Sequence, residues 1–117
     1  MREIKFSYIY QHDDTGRILN KIFDIHEIEL ELMGECFIEG YTLIARRQYT
    51  GLTDKLGVEI FVGDIVKDMR GNIGQIIWDN DYCKYICFDE EFNWIYADVI
   101  EVTGNIYQNK ELLNTKG

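Results

Sequence analysis

Apolar and polar residues alternate over several short stretches of the chain, which is the pattern of half-buried β-strands. In the first stretch one face carries Ile4, Phe6, Tyr8 and Tyr10, and the other carries Glu3, Lys5 and Ser7. The turn "HDDTG" follows, and we expect residues 17–25 to pair back on this strand. Residues 27–32 alternate again, with Ile28, Leu30 and Leu32 between glutamates. We predict a strand there, because in a helix the glutamates would spread around the cylinder.

Shorter runs at near-regular spacing fill the second half of the chain. Gly, Asn and Asp clusters separate "DIVKDM", "IGQIIWD", "YCKYICFD" and "WIYADVIEV", and we expect "ADVIEV" to turn tightly into the last strand. Such spacing is typical of a small antiparallel sheet that removes its edges by closing on itself. We therefore predict a mainly β protein, with an N-terminal β-rich segment of α+β character over residues 1–47 and an SH3-like β-barrel over residues 48–117.

The segment "QYTGLTDKLGVEIFVGDIV", residues 48–66, is rich in glycine. A phosphate-binding loop would need Lys after its last glycine, but Asp64 follows Gly63 and would repel phosphate. We expect glycines at turns that need positive φ, Asp64 to accept hydrogen bonds from backbone amides, and Gly74 to mark a bulge or bend inside a strand. The predicted turn residues are Gly51, Gly57, Gly63, Asp64, Gly71 and Gly74.

Residues for nucleophilic catalysis are scarce. Ser7 is the only serine, it lies on a predicted strand, and His12 and His26 are the only histidines. No strained turn or glycine context surrounds the serine, as a serine nucleophile requires. We predict that the protein is not an enzyme and needs no cofactor.

The chain has three cysteines, and this odd number in a chain without a recognisable secretory signal favours reduced thiols. Cys83 and Cys87 are predicted to be small core residues on one face of a strand. Their spacing along that strand is too wide for two ligands of one zinc ion. Cys36 has no partner in the sequence pattern.

The formal net charge of −9 makes the chain a poor binder of nucleic acid by default, because phosphate contacts supply most of that affinity. Acidic residues gather at predicted turns: Asp79, Asp81, Asp89, Glu90 and Glu91. A calcium loop would need a glycine where the chain has Lys84, so we interpret these carboxylates as solvated turn residues, with no metal site.

Aromatic residues crowd the second half beyond what a small barrel can enclose. An exposed cluster would be a partner-binding surface, since aromatic side chains anchor protein interfaces. The candidate partner surface consists of Trp78, Tyr82, Trp94 and Tyr96. In the alternative interpretation Ile76, Trp78 and Phe88 fill the core and the tyrosines cover its rim.

Three blocks occur in order along the chain: "MREIKF" at residues 1–6, "QYTGLTDKLGVEIFVGDIV" at 48–66 and "TGNIYQNKELL" at 103–113. By these blocks the chain resembles the YopX family, which phages and prophages of Gram-positive bacteria encode. The resemblance implies an SH3-like barrel in the C-terminal part, a phage origin, action in the cytoplasm of the infected bacterium, and an oligomer. It implies no biochemical activity and no catalytic residues.

We therefore expect a non-enzymatic interaction or assembly module with a protein partner from phage or host, and self-association into a homo-oligomer is part of this hypothesis. We expect no membrane contact, since no apolar run is long enough to span a bilayer. The alternative is a nucleic-acid-associated barrel, which needs Lys67, Arg70 and Lys84 on one face, or an acidic DNA mimic that targets a host DNA-binding protein. A metal-assisted hydrolase at the acidic turns is the weakest hypothesis.

Overall fold

The computed structural model describes residues 4–30, 38–88 and 90–114. These residues form ten β-strands, two short α-helices and a 3₁₀ helix, and every strand pairing with a known register is antiparallel. The predicted mainly β class is confirmed. The chain divides into two compact units, Met1–Tyr49 and Thr50–Gly117.

The first unit is built on a hairpin. Its elements are β1 (Lys5–His12), β2 (Ile18–Asp24), α1 (Ile25–Leu30) and most of β3 (Tyr41–Thr53). Strand β1 lies between β2 and β3, with Phe6 opposite both Phe23 and Gln48. One face carries a cluster around Tyr8 and Tyr10. The other face is not exposed to solvent as the alternation predicted, because Ser7 on that face is also fully buried.

Helix α1 contradicts the strand predicted over residues 27–32. Asp24 and Glu27 form a capping box: the Asp24 carboxylate accepts from the Glu27 amide at 2.8 Å, and the Glu27 carboxylate accepts from the Asp24 amide at 3.0 Å. These bonds satisfy amides that the start of a helix leaves without partners. Ile28 then packs against the Tyr8 and Tyr10 cluster. Residues 31–37, with the rest of that predicted strand and Cys36, lie outside the described part.

The second unit contains two three-stranded sheets. Its elements after β3 are β4 (Glu59–Phe61), β5 (Asp64–Lys67), β6 (Ile73–Gln75), β7 (Ile77–Asp79), β8 (Lys84–Cys87), β9 (Glu90–Glu91), α2 (Trp94–Ala97), β10 (Glu101–Asn105) and a 3₁₀ helix (Lys110–Asn114). The sheets have the orders β10-β5-β6 and β7-β8-β9, and β4 is the neighbour of β3. Ile76 separates β6 from β7 and donates its amide to the Asp64 carbonyl at 2.9 Å. The run "IGQIIWD" thus supplies one strand to each sheet.

A continuous apolar core joins these elements. It comprises Ile60, Val66, Ile76, Cys87, Phe92, Ala97 and Ile100, all at most 4% exposed. Phe88 packs against this core from its edge, whereas Trp78 remains 42% exposed. The alternative interpretation of the aromatic residues is therefore right for Ile76 and wrong for Trp78.

The strand predicted through "WIYADVIEV" begins instead as a helix. Asn93 is its N-cap, and the side-chain oxygen of Asn93 accepts from the amides of Ile95 and Tyr96 at 3.0 and 3.3 Å. The last strand starts only at Glu101. None of the helices in the described ranges has both the length and the apolar character needed to cross a bilayer.

Candidate functional site

The side chain of Asp54 connects the glycine-rich segment to the last strand. One carboxylate oxygen accepts from the amides of Leu56 and Val58 at 2.8 and 2.9 Å, and the other accepts from the amide of Val102 at 2.8 Å. Asp54 is only 4% exposed. With three backbone donors on two oxygens, this carboxylate acts as a structural acceptor and has little capacity left for a ligand.

Two further polar residues of the segment have the same role. The Asp64 carboxylate, 4% exposed, accepts from the amide of Phe61 at 2.8 Å across the turn that contains Gly63. The Thr50 hydroxyl donates to the carbonyl of Ile60 at 2.8 Å. Gly63 has a φ of 90°, a left-handed conformation that costs other residues energy. The segment is therefore shaped by backbone hydrogen bonding.

The C-terminal block "TGNIYQN" is a closed turn. The Asn105 side-chain oxygen accepts from the amides of Tyr107 and Gln108, both at 2.9 Å, and its side-chain nitrogen donates to the Gln108 side chain at 2.7 Å. The Asn109 side chain in turn accepts from the Asn105 amide at 3.2 Å. A Cβ at Gly104 would collide with the Asn109 side chain, so glycine is the residue that fits this turn. The roles of Asp54 and Asn105 were not anticipated, although Asx residues beside glycine are a known turn signal.

The other predicted turn glycines are needed for different structural reasons. Gly51, Gly57 and Gly71 have φ angles of 86°, 83° and 86°. Gly74 lies within β6, where a Cβ would come within 2.8 Å of the Phe88 ring. The need for glycine at this position comes from close packing of a ring.

The candidate partner surface divides between two elements. On the β7–β8 hairpin, Trp78 packs edge-on against Tyr85 with ring centroids 5.0 Å apart. Tyr82, in the turn of the same hairpin, is 75% exposed and lies 5.4 Å from the Lys84 ammonium group. The described contacts join neither ring to Trp94.

Helix α2 carries the other half of this surface. Trp94 and Ile95 are 66% and 59% exposed, although both are large apolar side chains. Tyr96 is half-buried and packs against the core of the second unit. Three of the four predicted residues therefore present most or much of their ring to solvent, and Ile95 extends this surface.

Cys83 contradicts the prediction of a core residue. It lies in the turn before β8 with a φ of 52°, is exposed, and directs its thiol towards the carbonyl of Asn80 at 3.7 Å. Cys87 is buried as predicted, and burial, assisted by the negative charge of Asp68, raises the pKa of its thiol to about 12. At neutral pH that thiol is protonated and is a weak nucleophile.

The side chains weighed for catalysis have structural partners. The Ser7 hydroxyl donates to the Asn20 side chain at 2.6 Å and accepts from two guanidinium nitrogens of Arg47 at 3.0 and 3.1 Å. His12 Nδ1 accepts from the amides of Asp14 and Thr15 at 3.2 and 3.1 Å, which closes the β1–β2 turn. Within the described ranges no three His, Cys, Asp or Glu side chains are grouped to hold a metal ion.

The charged residues of the second unit compensate one another locally. Lys84 pairs with Glu91 at 3.8 Å, and the Asp79 carboxylate accepts from the Asp81 amide at 2.9 Å within its turn. Against desolvation, which would raise it, hydrogen bonds from Asn72 and Arg70 and the charge of Arg70 lower the pKa of the Asp68 carboxyl group. Asp89 lies outside the described residues.

Comparison with known proteins identifies a family and a related solved structure. The family model described as "YopX protein" matches residues 3–114. The comparison with curated proteins finds no match. The crystal structure of protein EF1440 from Enterococcus faecalis is similar to this chain with a TM-score of 0.53 and 20% sequence identity, over 92% of this chain and 97% of that one. At that identity the similarity concerns the fold alone.

Proposed function

Because the chain belongs to the YopX family over nearly its whole length, we propose that it works as a non-enzymatic protein-interaction or assembly module in the cytoplasm of a phage-infected bacterium. The observation that carries this proposal is the exposed aromatic surface, defined as Trp78, Tyr82 and Trp94 together with Ile95. The partner in this proposal is a protein of the phage or of the host.

Large aromatic side chains are expensive to leave in water and are the residues that most often dominate binding at protein interfaces. Tyr82 at 75% exposure and Trp94 at 66% retain most of their area after folding. A partner that covered them would gain that burial. The amphipathic rings of Trp and Tyr also keep a polar group for a hydrogen bond at the rim of an interface.

The polar residues of the motif blocks also support a non-enzymatic role, because their side chains are used to hold the fold together. Asp54, Asp64 and Asn105 use their side-chain oxygens to bind backbone amides. What the blocks specify is therefore a scaffold, and the choice of partner is left to the outer side chains.

For the scaffold itself we propose an SH3-like barrel formed by the sheets β10-β5-β6 and β7-β8-β9. The single run that supplies β6 and β7, bent at the buried Ile76, and the short helix between β9 and β10 support this arrangement. Closure would leave few strand edges open to aggregation.

Self-association into a homo-oligomer belongs to the same proposal. A second copy of the chain carries the same exposed aromatic surface and is always available to bind it. Light scattering after size exclusion tests this part. A strict monomer at high concentration would remove it and leave contact with another protein as the only use of the surface.

Nucleic-acid binding and DNA mimicry find less support in the contacts. Lys84 is paired with Glu91 at 3.8 Å, so one of the three cations needed for phosphate binding already faces a carboxylate. The Asp79 carboxylate is likewise used within its own turn, which takes it out of a phosphate-like row.

Affinity capture from lysate of an infected host tests the main proposal. Trp94→Ala and Tyr82→Ala should each weaken binding of the captured protein by about tenfold or more, as expected for interface anchors. Leu56→Ala is the matched control, because Leu56 is an aliphatic side chain at 67% exposure outside the aromatic surface. Equal capture by all three variants would refute the role of the aromatic surface.

A further inference from the structure

A cleft of about 400 Å³ lies in the second unit, apart from the exposed ends of Trp94 and Tyr82. Its base is apolar and consists of Phe88, Tyr96, Val99 and Ile100. Its rim carries the charged groups of Asp68, Arg70 and Glu90. This volume falls in the range of ligand pockets, and an apolar base with a few polar groups at the rim is their usual composition.

The base of the cleft is held in place by the core. Ile100 is 1% exposed, and Tyr96 and Phe88 pack against the apolar core of the unit. The Phe88 ring lies over Gly74, where any larger residue would meet it, and Phe88 itself has a left-handed φ of 56°. A ring held by such tight packing and by an uncommon backbone conformation forms a surface before any ligand arrives.

The rim is also organised in advance. One oxygen of Asp68 accepts from the amides of Arg70 and Asn72, both at 2.9 Å, and the other accepts from the Asn72 side chain at 3.0 Å. Desolvation would raise the pKa of Asp68, but these hydrogen bonds and the Arg70 charge lower it below its ordinary value. Asp68 is therefore ionised at neutral pH, and the turn between β5 and β6 keeps a fixed shape.

The charges of the cleft favour a cationic ligand. Asp68 and Arg70 compensate each other, which leaves the exposed Glu90 as the excess charge at the rim, on a chain of net charge −9. A bare inorganic cation would gain nothing from the apolar base, so the complementary ligand combines an apolar group with a positive charge.

We infer that this cleft binds a basic, apolar segment of a partner protein, with an aliphatic side chain on the base and a neighbouring Lys or Arg at Glu90. This inference rests on the proposed function and adds the chemistry of the partner. The exposed Met69 at the edge of the cleft, 78% exposed, supplies a flexible side chain that can close over such a segment.

Titration of the intact chain with three capped peptides tests the inference. The probe is Lys-Leu-Arg-Leu-Lys, and the controls are Glu-Leu-Glu-Leu-Glu and Lys-Ser-Arg-Ser-Lys. We expect saturable binding of the probe that shifts the amide resonances of Asn72, Tyr96 and Ile100, with about tenfold weaker binding of each control because each lacks one of the two matching features. No saturable shift with the probe, or equal binding of the acidic peptide, overturns the inference.

Two variants with the same change of net charge separate the cleft from general attraction to an acidic protein. Glu90→Lys should weaken probe binding by about fivefold, the effect of reversing one exposed charge at a site. Asp14→Lys, in the turn of the first unit, should leave probe binding close to that of the wild type. Equal effects of the two variants would show non-specific attraction and refute the cleft as the site. Circular dichroism checks that both remain folded.

The two proposals fail in different ways. Trp94→Ala should leave probe affinity unchanged, because Trp94 does not line the cleft. Loss of peptide binding with retained Trp94-dependent capture of a partner would overturn the cleft alone. Peptide binding that survives while capture is independent of Trp94 and Tyr82 would overturn the aromatic surface alone.

Discussion

The carboxylate of Asp54 and the backbone amide of Val102 are joined by a hydrogen bond of 2.8 Å, although 48 positions separate them in the chain. The same carboxylate holds the amides of Leu56 and Val58 in its own turn. One buried side chain thus fixes the turn before β4 and positions β10 against it. The glycine-rich segment, predicted from the sequence to form turns, is thus an internal support of the second unit.

Removing the Asp54 carboxylate should lower the stability of the fold. Asp54→Ala leaves the Val102 amide and two turn amides without their acceptor, and we expect the free energy of unfolding to fall by about 2–4 kcal/mol. Asp54→Asn keeps one oxygen but sets an NH₂ group against an amide donor, with an expected loss of about 1–2 kcal/mol. Urea denaturation followed by circular dichroism measures both. The exposed Asp81→Ala is the control, expected within about 0.5 kcal/mol of wild type. A similar small effect for Asp54→Ala would contradict the structural role.

The mainly β class could be predicted because period-two alternation reports directly on a sheet with one buried face. Helix α1 shows where that signal fails. Ile28 and Leu30 alternate with glutamates over a segment too short to distinguish the two periods, and the capping box of Asp24 and Glu27 decided the outcome. The Asp-x-x-Glu spacing was present in the sequence and was the overlooked signal.

The candidate site could be predicted only in outline. Exposure of Trp94 and Tyr82 followed from an excess of aromatic residues. The position of Cys83 did not, because its left-handed conformation places it in the turn and the predicted strand begins only at Lys84. The cleft could not be predicted either. Its lining combines residues 68–72 with residues 88–100, which are distant in sequence and which no local pattern brings together.

The buried Ser7 should be sensitive to loss of its hydroxyl group. Ser7→Ala removes the acceptor of two Arg47 guanidinium nitrogens, and we expect a loss of about 1–3 kcal/mol in the free energy of unfolding. Asn20→Ala removes only the acceptor of the Ser7 hydroxyl from a solvent-exposed position, so its cost should be smaller, about 0.5–1 kcal/mol. Chemical denaturation of both variants measures the two losses of stability. A larger loss for Asn20→Ala than for Ser7→Ala would argue against this hydrogen-bond network.

The contact between Gly74 and Phe88 should appear as an energetic coupling. Gly74→Ala forces a Cβ against the ring, and we expect a destabilisation of about 1–3 kcal/mol. In the double variant Gly74→Ala with Phe88→Leu the ring is absent, so the loss should be smaller than the sum of the two single losses by about 1 kcal/mol. Thermal or urea unfolding of all four proteins completes the cycle. Strict additivity would mean that the ring moves aside without cost.

Stability should fall at alkaline pH through Cys87. Burial raises the pKa of this thiol from its ordinary value of 9.0 to about 12, so the unfolded chain releases the proton first as pH rises above 9.0. The contribution of the thiol to stability is complete below pH 9.0 and is lost between that value and about 12. Between neutral pH and about pH 10, wild type should lose about 1.4 kcal/mol more than Cys87→Ala, in which tyrosine titration is unchanged. Parallel pH profiles would contradict the shift.

Substitution of Trp94 should affect partner binding, whereas substitution of Trp78 should also lower the stability of the fold. Trp94 is 66% exposed, so Trp94→Ala should change the free energy of unfolding by less than about 0.5 kcal/mol while it weakens capture of a partner. Trp78→Ala also removes the edge-on contact with Tyr85 and should cost about 0.5–1.5 kcal/mol in stability. Denaturation curves and capture assays on the same preparations make the comparison. If Trp94→Ala proved the more destabilising variant, the ring of Trp94 would belong to the folded core and would be unavailable to a partner.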